Sequence, residues 1–252
     1  MQFASLGSGS KGNATLVRAG DTLVMVDCGF SARETVRRMA QLGVEPTELD
    51  AILVTHEHSD HSSGVARLSR RFGLPVYLTH GTYLSGRLDG SHQLLQFNCG
   101  DHFAIGELSI TTVAVPHDAA EPCQFRFEHA GRHLGVLTDL GSITPHVVDS
   151  FRGCHGLLLE FNHDYDMLMS GDYPEHLKRR VGGNWGHLNN AQSAELLGEL
   201  DHEDLLHVVA AHISEKNNSL ECTTAALEST LGSLERVVFA AQGEGFSWLD
   251  VS

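Results

Sequence analysis

The stretch Thr55-His56-Glu57-His58-Ser59-Asp60-His61 follows directly on the apolar run 51–54 and places three histidines and an aspartate within six residues. In an extended backbone His56 and His58 point to the same side, so both can reach one metal ion. The aspartate and the last histidine lie beyond them and can turn towards a second ion. Surface loops seldom place four such groups directly after a buried strand, which disfavours the alternative of a solvated histidine-rich loop. The stretch therefore predicts two adjacent metal sites.

The composition agrees with a metal-binding globular protein. The chain has 252 residues, 41% of them hydrophobic, which is enough for a substantial core. Its 17 histidines are more than packing requires, and imidazole is the commonest metal ligand among side chains. We find no repeat, linker or break in composition, so we expect a single domain over residues 1–252. The net charge of −15 disfavours non-specific attraction to nucleic acid or to anionic membranes over most of the surface.

The cysteines and the first residues bear on where the protein functions. Five cysteines are scattered through the chain and none is spaced as C-x-x-C, which favours neither a disulfide framework nor a thiolate zinc site. Residues 1–7 have neither a basic nor an apolar signal region, and no run of about 18 apolar residues occurs. We therefore expect a cytoplasmic protein without membrane contact.

A glycine-rich turn near the start, Gly7-Ser8-Gly9-Ser10-Lys11-Gly12-Asn13, matches the dinucleotide motif G-x-G-x-x-G. In a dinucleotide site a helix must begin at the glycines, so that its N-terminus faces the pyrophosphate. Here two strand-like runs follow, at 14–18 and 22–29, and they predict a β-hairpin. The match is thus an unreliable sign of nucleotide binding, and the alternative is a tight turn that lines a site of another kind.

Apolar strands of the predicted α/β pattern repeatedly end in potential ligands. Strands are predicted at residues 2–6, 14–18, 22–29, 51–55, 75–78, 93–97, 108–115, 123–128, 132–138, 156–160, 206–212 and 237–240, and helices at 31–42, 64–72, 81–86, 174–181, 190–200 and 219–231. Asp27 ends an apolar strand, so its carboxylate should bind a partner such as a ligand histidine or a backbone N–H. His117, Asp139 and His212 each follow another strand. This pattern predicts that the ends of the strands meet at one site.

These residues together resemble the metallo-β-lactamase superfamily. The run His56-x-His58-x-Asp60-His61 resembles the signature of this superfamily. Asp27, in Val26-Asp27-Cys28-Gly29, resembles its first motif, and His117, Asp139 and His212 resemble its later motifs. The resemblance implies a four-layer αβ/βα sandwich with two metals at the edges of the sheets. It also implies that His56, His58 and His117 bind one divalent ion, that Asp60, His61 and His212 bind the other, and that Asp139 bridges them. Zn²⁺ or Mn²⁺ suits such ligands best, and Fe is possible.

Further motifs resemble the YycJ-like (WalJ-like) branch, which is associated with 5′-to-3′ exonuclease activity. They are 8–13, 116–122, 160–164, Tyr173-Pro174 before Leu177-Lys178-Arg179-Arg180, 186–190 and 212–218. One position departs from this pattern, because Gln124 stands where a glycine is expected. True β-lactamases are exported and often have cysteine in place of Asp139, which argues against that branch.

The resemblance implies a catalytic mechanism in which the two ions supply a shared hydroxide and stabilise a phosphodiester as charge develops. His187 resembles the non-ligand general acid of phosphodiesterases in the superfamily, although it could merely line the cleft. Asp60 is expected to hold the attacking hydroxide as well as a metal. The basic run 178–180 is a candidate for phosphate contacts, with a solvated helix face as the equal alternative.

Three functions compete. The first is a nuclease acting on DNA ends, and the second a hydrolase of a small cyclic phosphodiester or another ester, which the net charge favours. The third, a metal-binding regulatory protein without turnover, is disfavoured by the presence of His187. The oligomeric state is not indicated by the sequence.

Overall fold

The computed structural model describes residues 1–200 and 203–252, and within these ranges the strands form two mixed sheets of seven. The first sheet contains β1 (Gln2–Gly7), β2 (Ala14–Ala19), β3 (Thr22–Val26), β4 (Ala51–Leu53), β5 (Pro75–Thr79), β6 (Gln93–Phe97) and β14 (Phe246–Asp250), in the order β14-β1-β2-β3-β4-β5-β6. The second contains β7 (His102–Ile105), β8 (Leu108–Ala114), β9 (Cys123–His129), β10 (Arg132–Leu137), β11 (Gly156–Glu160), β12 (His207–Ala211) and β13 (Val237–Phe239), in the order β13-β12-β11-β10-β9-β8-β7. β3 to β6 run parallel, as do β10 to β13.

The helices are α1 (Ala32–Gln41), α2 (Ser59–Ser62), α3 (Val65–Phe72), α4 (His80–Leu84), α5 (Pro145–Phe151), α6 (Tyr165–Ser170), α7 (Glu175–Val181), α8 (Asn190–Glu199) and α9 (Leu220–Leu231). Polar residues fix where several of them begin. The hydroxyl of Ser31 accepts a hydrogen bond from the Glu34 N–H at the start of α1, and Asn189 and Gln192 cap each other's backbone at the start of α8. The part of the chain that is described contains no helix of the length and apolarity needed to cross a membrane.

Three apolar clusters of described residues hold the two sheets and the helices together as four layers. One apolar cluster lies between the two sheets and joins side chains such as Phe3 and Leu53 to Phe125 and Val136. A second packs α1 and α3 on the outer face of the first sheet, and a third packs α5, α8 and α9 on the outer face of the second. The order helix, sheet, sheet, helix confirms the predicted four-layer αβ/βα sandwich.

Most predicted elements are present, with their ends shifted by a few residues. The hairpin of β2 and β3 follows the glycine-rich turn and no helix begins there, which excludes the dinucleotide geometry. The sequence pattern did not predict β7, β14, α5 or α6. β14 is an edge strand in which only Phe246 is buried, so its apolar alternation is weak, and it is held by antiparallel pairing with β1.

Candidate metal centre

The structure brings all seven predicted ligands together where the strands end. His56 follows β4, and His58 directly precedes the short helix α2, which carries the next two ligands on its first turn. The remaining three follow β8, β10 and β12. Among the described residues, four groups of side chains have potential ligand atoms within 4.8 Å of one another: His56, His58 and His117; Asp60, His61 and His212; His56, His61 and Asp139; and Asp139, His187 and His212. The first two groups are the two ligand sets that the resemblance implies.

The first group consists of imidazoles only. The ring centroid of His56 lies 4.6 Å from that of His58 and 4.9 Å from that of His117. The atoms His58 Nδ1 and His117 Nε2 are 3.3 Å apart. Three imidazoles whose nitrogens converge in this way offer the set of ligands that Zn²⁺ takes in many catalytic sites.

The second group mixes imidazole and carboxylate. Asp60 Oδ2 lies 3.6 Å from His61 Nε2 and 3.8 Å from His212 Nε2. Asp139 stands beside both groups. Its Oδ2 lies 3.3 Å from His61 Nε2 of the second group, and its potential ligand atom also lies within 4.8 Å of that of His56 in the first group. A carboxylate in this position can serve two neighbouring cations.

Three buried polar atoms test whether a metal fits these groups. His56 Nε2, Asp139 Oδ2 and His212 Nε2 are buried and have no hydrogen-bond partner. Buried polar atoms are rarely left unpaired, because an unpaired one loses its bonds to water without replacement. All three belong to the groups of potential ligands, so divalent cations are suitable partners for them and the residues fit the implied metals.

The electrostatics of the centre also favour a cation. Burial lowers the pKa of His56 well below its ordinary value, which keeps this imidazole neutral and able to bind a metal. Burial also opposes charge on His212, but the neighbouring carboxylates of Asp139, Asp60 and Glu160, which lie 3.6–3.8 Å from its ring nitrogens, outweigh it and raise its pKa to about 10. The carboxylates thus favour positive charge on the groups between them, and a divalent ion supplies such charge.

Hydrogen bonds on the far side of the imidazoles fix their orientation. Asp27 Oδ2 accepts from His61 Nδ1 at 2.8 Å, while its Oδ1 accepts from the Thr55 N–H at 2.9 Å. The prediction that Asp27 binds a ligand histidine or a backbone N–H is therefore confirmed. His117 Nδ1 lies 3.0 Å from the carbonyl oxygen of Gly186. Such bonds place the other ring nitrogen towards the metal position and raise its basicity.

The backbone is strained where three of these residues leave their strands. Asp27, Asp139 and His212 have φ values of 60°, 54° and 53°, a left-handed conformation that is uncommon for residues other than glycine. Each such residue costs about 1–3 kcal/mol and persists only where its surroundings enforce it. The strain turns each side chain into the centre directly at the end of a strand.

The glycine-rich turn at residues 7–13 packs against the centre. The hydroxyl of Ser8 accepts a hydrogen bond from the His212 N–H at 2.9 Å, and Asn13 N–H donates to the Asp60 carbonyl at 2.8 Å. Gly29 lies against the same carbonyl, and a Cβ there would stand 1.7 Å from this oxygen. The turn and Gly29 thus pack directly beneath the loop that carries four of the ligands.

His187 lies beside the ligands and is held by Glu160, a residue to which the sequence assigned no role. His187 Nδ1 is 3.1 Å from Glu160 Oε2 and 3.7 Å from Asp139 Oδ1. Glu160 is fully buried, and its Oε1 accepts from the N–H groups of Leu140 and Leu188. Burial raises the pKa of Glu160, but the hydrogen bond with His187 and the nearby imidazole of His212, 3.6 Å away, outweigh it and lower the pKa to about 2. The signal that could have found it is a charged residue at the end of the wholly apolar strand β11.

A cleft of about 360 Å³ opens over the centre and is lined by His187 and by two arginines, Arg87 and Arg180. The side chains of the basic run 178–180 lie in different surroundings. Arg180 lines the cleft and forms an ion pair with Asp118, whereas Lys178 is buried and donates to the Met169 carbonyl. The cleft therefore receives one guanidinium from this run and a second from the loop after α4.

Four further residues from the sequence motifs can now be located, namely Asn162, His163, Gln124 and Asp118. Asn162 lines the cleft, and its Nδ2 donates to the His212 carbonyl at 3.1 Å. His163 is buried beside it. Gln124, which departs from the branch pattern, is buried and its Nε2 donates to the Thr138 carbonyl, next to Asp139. Asp118 lies 3.5 Å from His117 Nε2, but its hydrogen bond goes to Arg180.

Comparison with known proteins places this centre in a family. A family model described as a beta-lactamase superfamily domain matches residues 22–213. The exodeoxyribonuclease YycJ of Bacillus anthracis is 32% identical over 236 residues, which cover 92% of this chain and 89% of that protein. The exodeoxyribonuclease WalJ of Streptococcus pneumoniae is 31% identical over 241 residues, covering 93% and 89%. The crystal structure of the metallo-beta-lactamase fold protein YhfI from Bacillus subtilis shares the fold, with a TM-score of 0.77 and 16% identity over 98% of each chain. The chain therefore belongs to the metallo-β-lactamase superfamily, in the branch that includes the YycJ and WalJ exodeoxyribonucleases.

Proposed function

We propose that this protein is a dinuclear metal-dependent phosphodiesterase that degrades DNA from its ends in the 5′-to-3′ direction. The observation that carries the proposal is the pair of adjacent ligand groups, joined through Asp139, at the base of a cleft with two arginines. The named activity of the YycJ and WalJ relatives supports DNA as the substrate. The donor set suits Zn²⁺ or Mn²⁺, with Fe as a further possibility.

Two bound ions would act as Lewis acids on the phosphodiester and would make water a better nucleophile. We assign to Asp60 the role of accepting a hydrogen bond from the attacking water. Burial opposes its ionisation, but His212 and His61 outweigh this and hold the pKa of Asp60 below its ordinary value. The carboxylate is thus ionised at neutral pH, as an acceptor must be. Arg87 and Arg180 add positive charge for the phosphates on either side.

His187 acts as the general acid in this scheme. The water oxygen bonds to phosphorus, the bond from phosphorus to the 3′-oxygen of the terminal nucleotide breaks, and that oxygen takes a proton. Glu160 faces His187 Nδ1, which leaves Nε2 for a partner in the cleft.

The variant His187→Ala tests the role of His187. With full metal occupancy, turnover at least roughly a hundredfold lower supports a general acid. Turnover near that of the unchanged enzyme would mean that His187 only lines the cleft.

The metal-loaded protein should be incubated with 5′-labelled DNA and, in parallel, with bis-p-nitrophenyl phosphate. Release of labelled mononucleotide at the earliest times supports 5′-to-3′ digestion. Cleavage of the small diester without degradation of DNA would overturn the proposal that the protein is a nuclease. If neither is cut with Zn²⁺ or Mn²⁺ supplied, phosphodiester hydrolysis itself is rejected.

A small, for example cyclic, phosphodiester is the second candidate substrate. Two observations favour it, the net charge of −15, which repels a long polyanion, and the volume of the cleft, about 360 Å³. Such a volume lies at the small end of ligand pockets. The parallel assay described above separates this candidate from DNA.

A further inference from the structure

Trp185 exposes a large aromatic side chain to solvent close to the metal centre. The exposed fraction of this residue is 64%. The other tryptophan of the chain, Trp248, is half-buried, and its Nε1 donates to the Leu42 carbonyl at 3.2 Å. Single exposed apolar residues are common on protein surfaces, so the surroundings of Trp185 decide whether it has a partner.

The backbone on both sides of Trp185 is held in place. Before it, the Asn184 carbonyl accepts a hydrogen bond from the Ser142 hydroxyl at 3.2 Å. After it, the His187 N–H donates to the Val181 carbonyl at 2.8 Å. The loop therefore presents the indole at a fixed place, and a partner that binds it has little backbone to order.

That place is the rim of the cleft over the metal centre. Trp185 directly precedes Gly186 and His187, which both line the cleft, and the Gly186 carbonyl lies 3.0 Å from Nδ1 of His117. The indole itself lies outside the lining. A cleft of about 360 Å³ is at the small end of ligand pockets, so a DNA strand bound at the metals must extend across its rim.

Two arginines on the same side of the cleft supply positive charge. Arg179 and Arg180 lie in the last turn of α7 and are exposed, whereas the acidic residue of this helix, Glu175, lies in its first turn. Arg180 Nε donates to Asp118, but its two Nη groups have no acceptor among the residues that the structure describes. In surfaces that bind single strands of nucleic acid, such cations contact the phosphates and a neighbouring aromatic ring stacks on a base.

We propose that the indole of Trp185 stacks on an unpaired base of the DNA strand where the strand crosses the rim of the cleft, with Arg179 and Arg180 beside its phosphates. Every base has a face that can stack, so this contact holds the strand without regard to its sequence. Trp185 thus favours a long DNA substrate over a small diester that occupies only the metal centre. The assignment rests on the proposed function.

Tryptophan fluorescence tests the contact without turnover. The metal-loaded protein should be titrated with a single-stranded oligothymidylate whose linkages are phosphorothioates, which resist hydrolysis, and anisotropy of a labelled copy should report its binding. A base stacked on the indole should quench the emission of the unchanged protein. In Trp185→Phe, where Trp248 is the remaining reporter, the quenching should be lost. Quenching of equal depth in this variant, or a bound oligonucleotide that quenches neither protein, would overturn the contact.

Trp185→Ala should weaken the use of the long substrate. The ratio of kcat/KM for unmodified oligothymidylate to that for bis-p-nitrophenyl phosphate should fall by about 5- to 150-fold, the effect of one stacked base, and the fall should come from KM for the oligonucleotide. The matched control Leu206→Ala removes another exposed apolar side chain, directly before β12 and at the end opposite the ligand His212, and should keep the ratio. An unchanged ratio in Trp185→Ala, or a fall that comes from kcat alone, would reject the stacking.

Failure of the contact and failure of the proposed function give different results. Quenching through Trp185 without hydrolysis of unmodified oligothymidylate would reject the nuclease and keep the contact. Hydrolysis without either effect of Trp185 would reject the contact alone, and an oligonucleotide that neither binds nor is cut would reject both. If Trp185→Ala instead converts a dimer into monomers in size-exclusion chromatography and keeps the ratio, the indole belongs to an interface between two copies of the chain, and the stacking is rejected.

Discussion

Replacing Glu160 by glutamine should lower turnover while the protein remains folded. Glu160 is buried and ionised, and its two oxygens have separate partners. Oε1 accepts two backbone N–H groups, at 2.8 Å from Leu140 and 3.1 Å from Leu188, and Oε2 faces His187 Nδ1 at 3.1 Å. Glutamine can keep the first pair of bonds through its carbonyl oxygen. Its amide nitrogen, however, cannot accept a hydrogen bond from His187.

The magnitude follows from the bond that is lost. A hydrogen bond between His187 and an ionised carboxylate contributes about 1.5–3 kcal/mol. If His187 donates the proton to the leaving oxygen, this loss appears as a fall in kcat of about 10- to 150-fold. The double variant with His187→Ala should be little slower than His187→Ala alone, because residues that act as a unit are not additive.

The assay is kcat on the phosphodiester that the unchanged enzyme cleaves, with metal content measured for every variant. Glu160 Oε2 also lies 3.6 Å from His212 Nδ1, so a loss of metal has to be separated from a loss of the acid. Ratios of kcat should therefore be compared at saturating metal. A Glu160→Gln enzyme within about threefold of the unchanged one, or full additivity with His187→Ala, would refute this link between the two residues.

Asp27→Asn keeps one acceptor oxygen for the Thr55 N–H and presents to His61 Nδ1 an amide nitrogen, which cannot accept, so metal affinity should fall by about 10- to 100-fold in a chelator competition, and an unchanged affinity would contradict the orienting role. Burial lowers the pKa of His163 to about 4 from 6.5, so the unfolded chain binds the proton first and the free energy of unfolding decreases as the pH falls from about 6.5 to about 4. In His163→Gln this decrease should be smaller by at most about 3 kcal/mol, measured by urea unfolding at pH values across that window, and an identical pH dependence would count against it. Gly29→Ala places a Cβ 1.7 Å from a carbonyl oxygen of the ligand loop and should lower the thermal midpoint and metal content together, whereas Gly243→Ala, with no atom within 4 Å, should change neither.

The sequence predicted the fold and the ligands for the same physical reason. Buried strands must be apolar, so a polar residue at the end of such a strand stands out, and parallel strands in one sheet bring these ends to one edge. Asp27, His56, Asp139 and His212 were all visible in this way. The seven ligands now lie together, but their metal-binding roles stay a prediction, as does the single domain over residues 1–252.

What the sequence could not predict depends on which atoms remain unpaired after folding. Glu160 was visible as a charge after an apolar strand, yet only the structure shows that one of its oxygens faces His187 rather than solvent. Two adjacent asparagines, Asn217 and Asn218, are likewise indistinguishable in the sequence, and tertiary contacts alone satisfy the amide of Asn218 and leave the Asn217 Nδ2 without a partner. Spacing can therefore identify ligands that lie at the ends of strands. A residue that acts by facing another is identified only by accounting for every buried donor and acceptor in the folded chain.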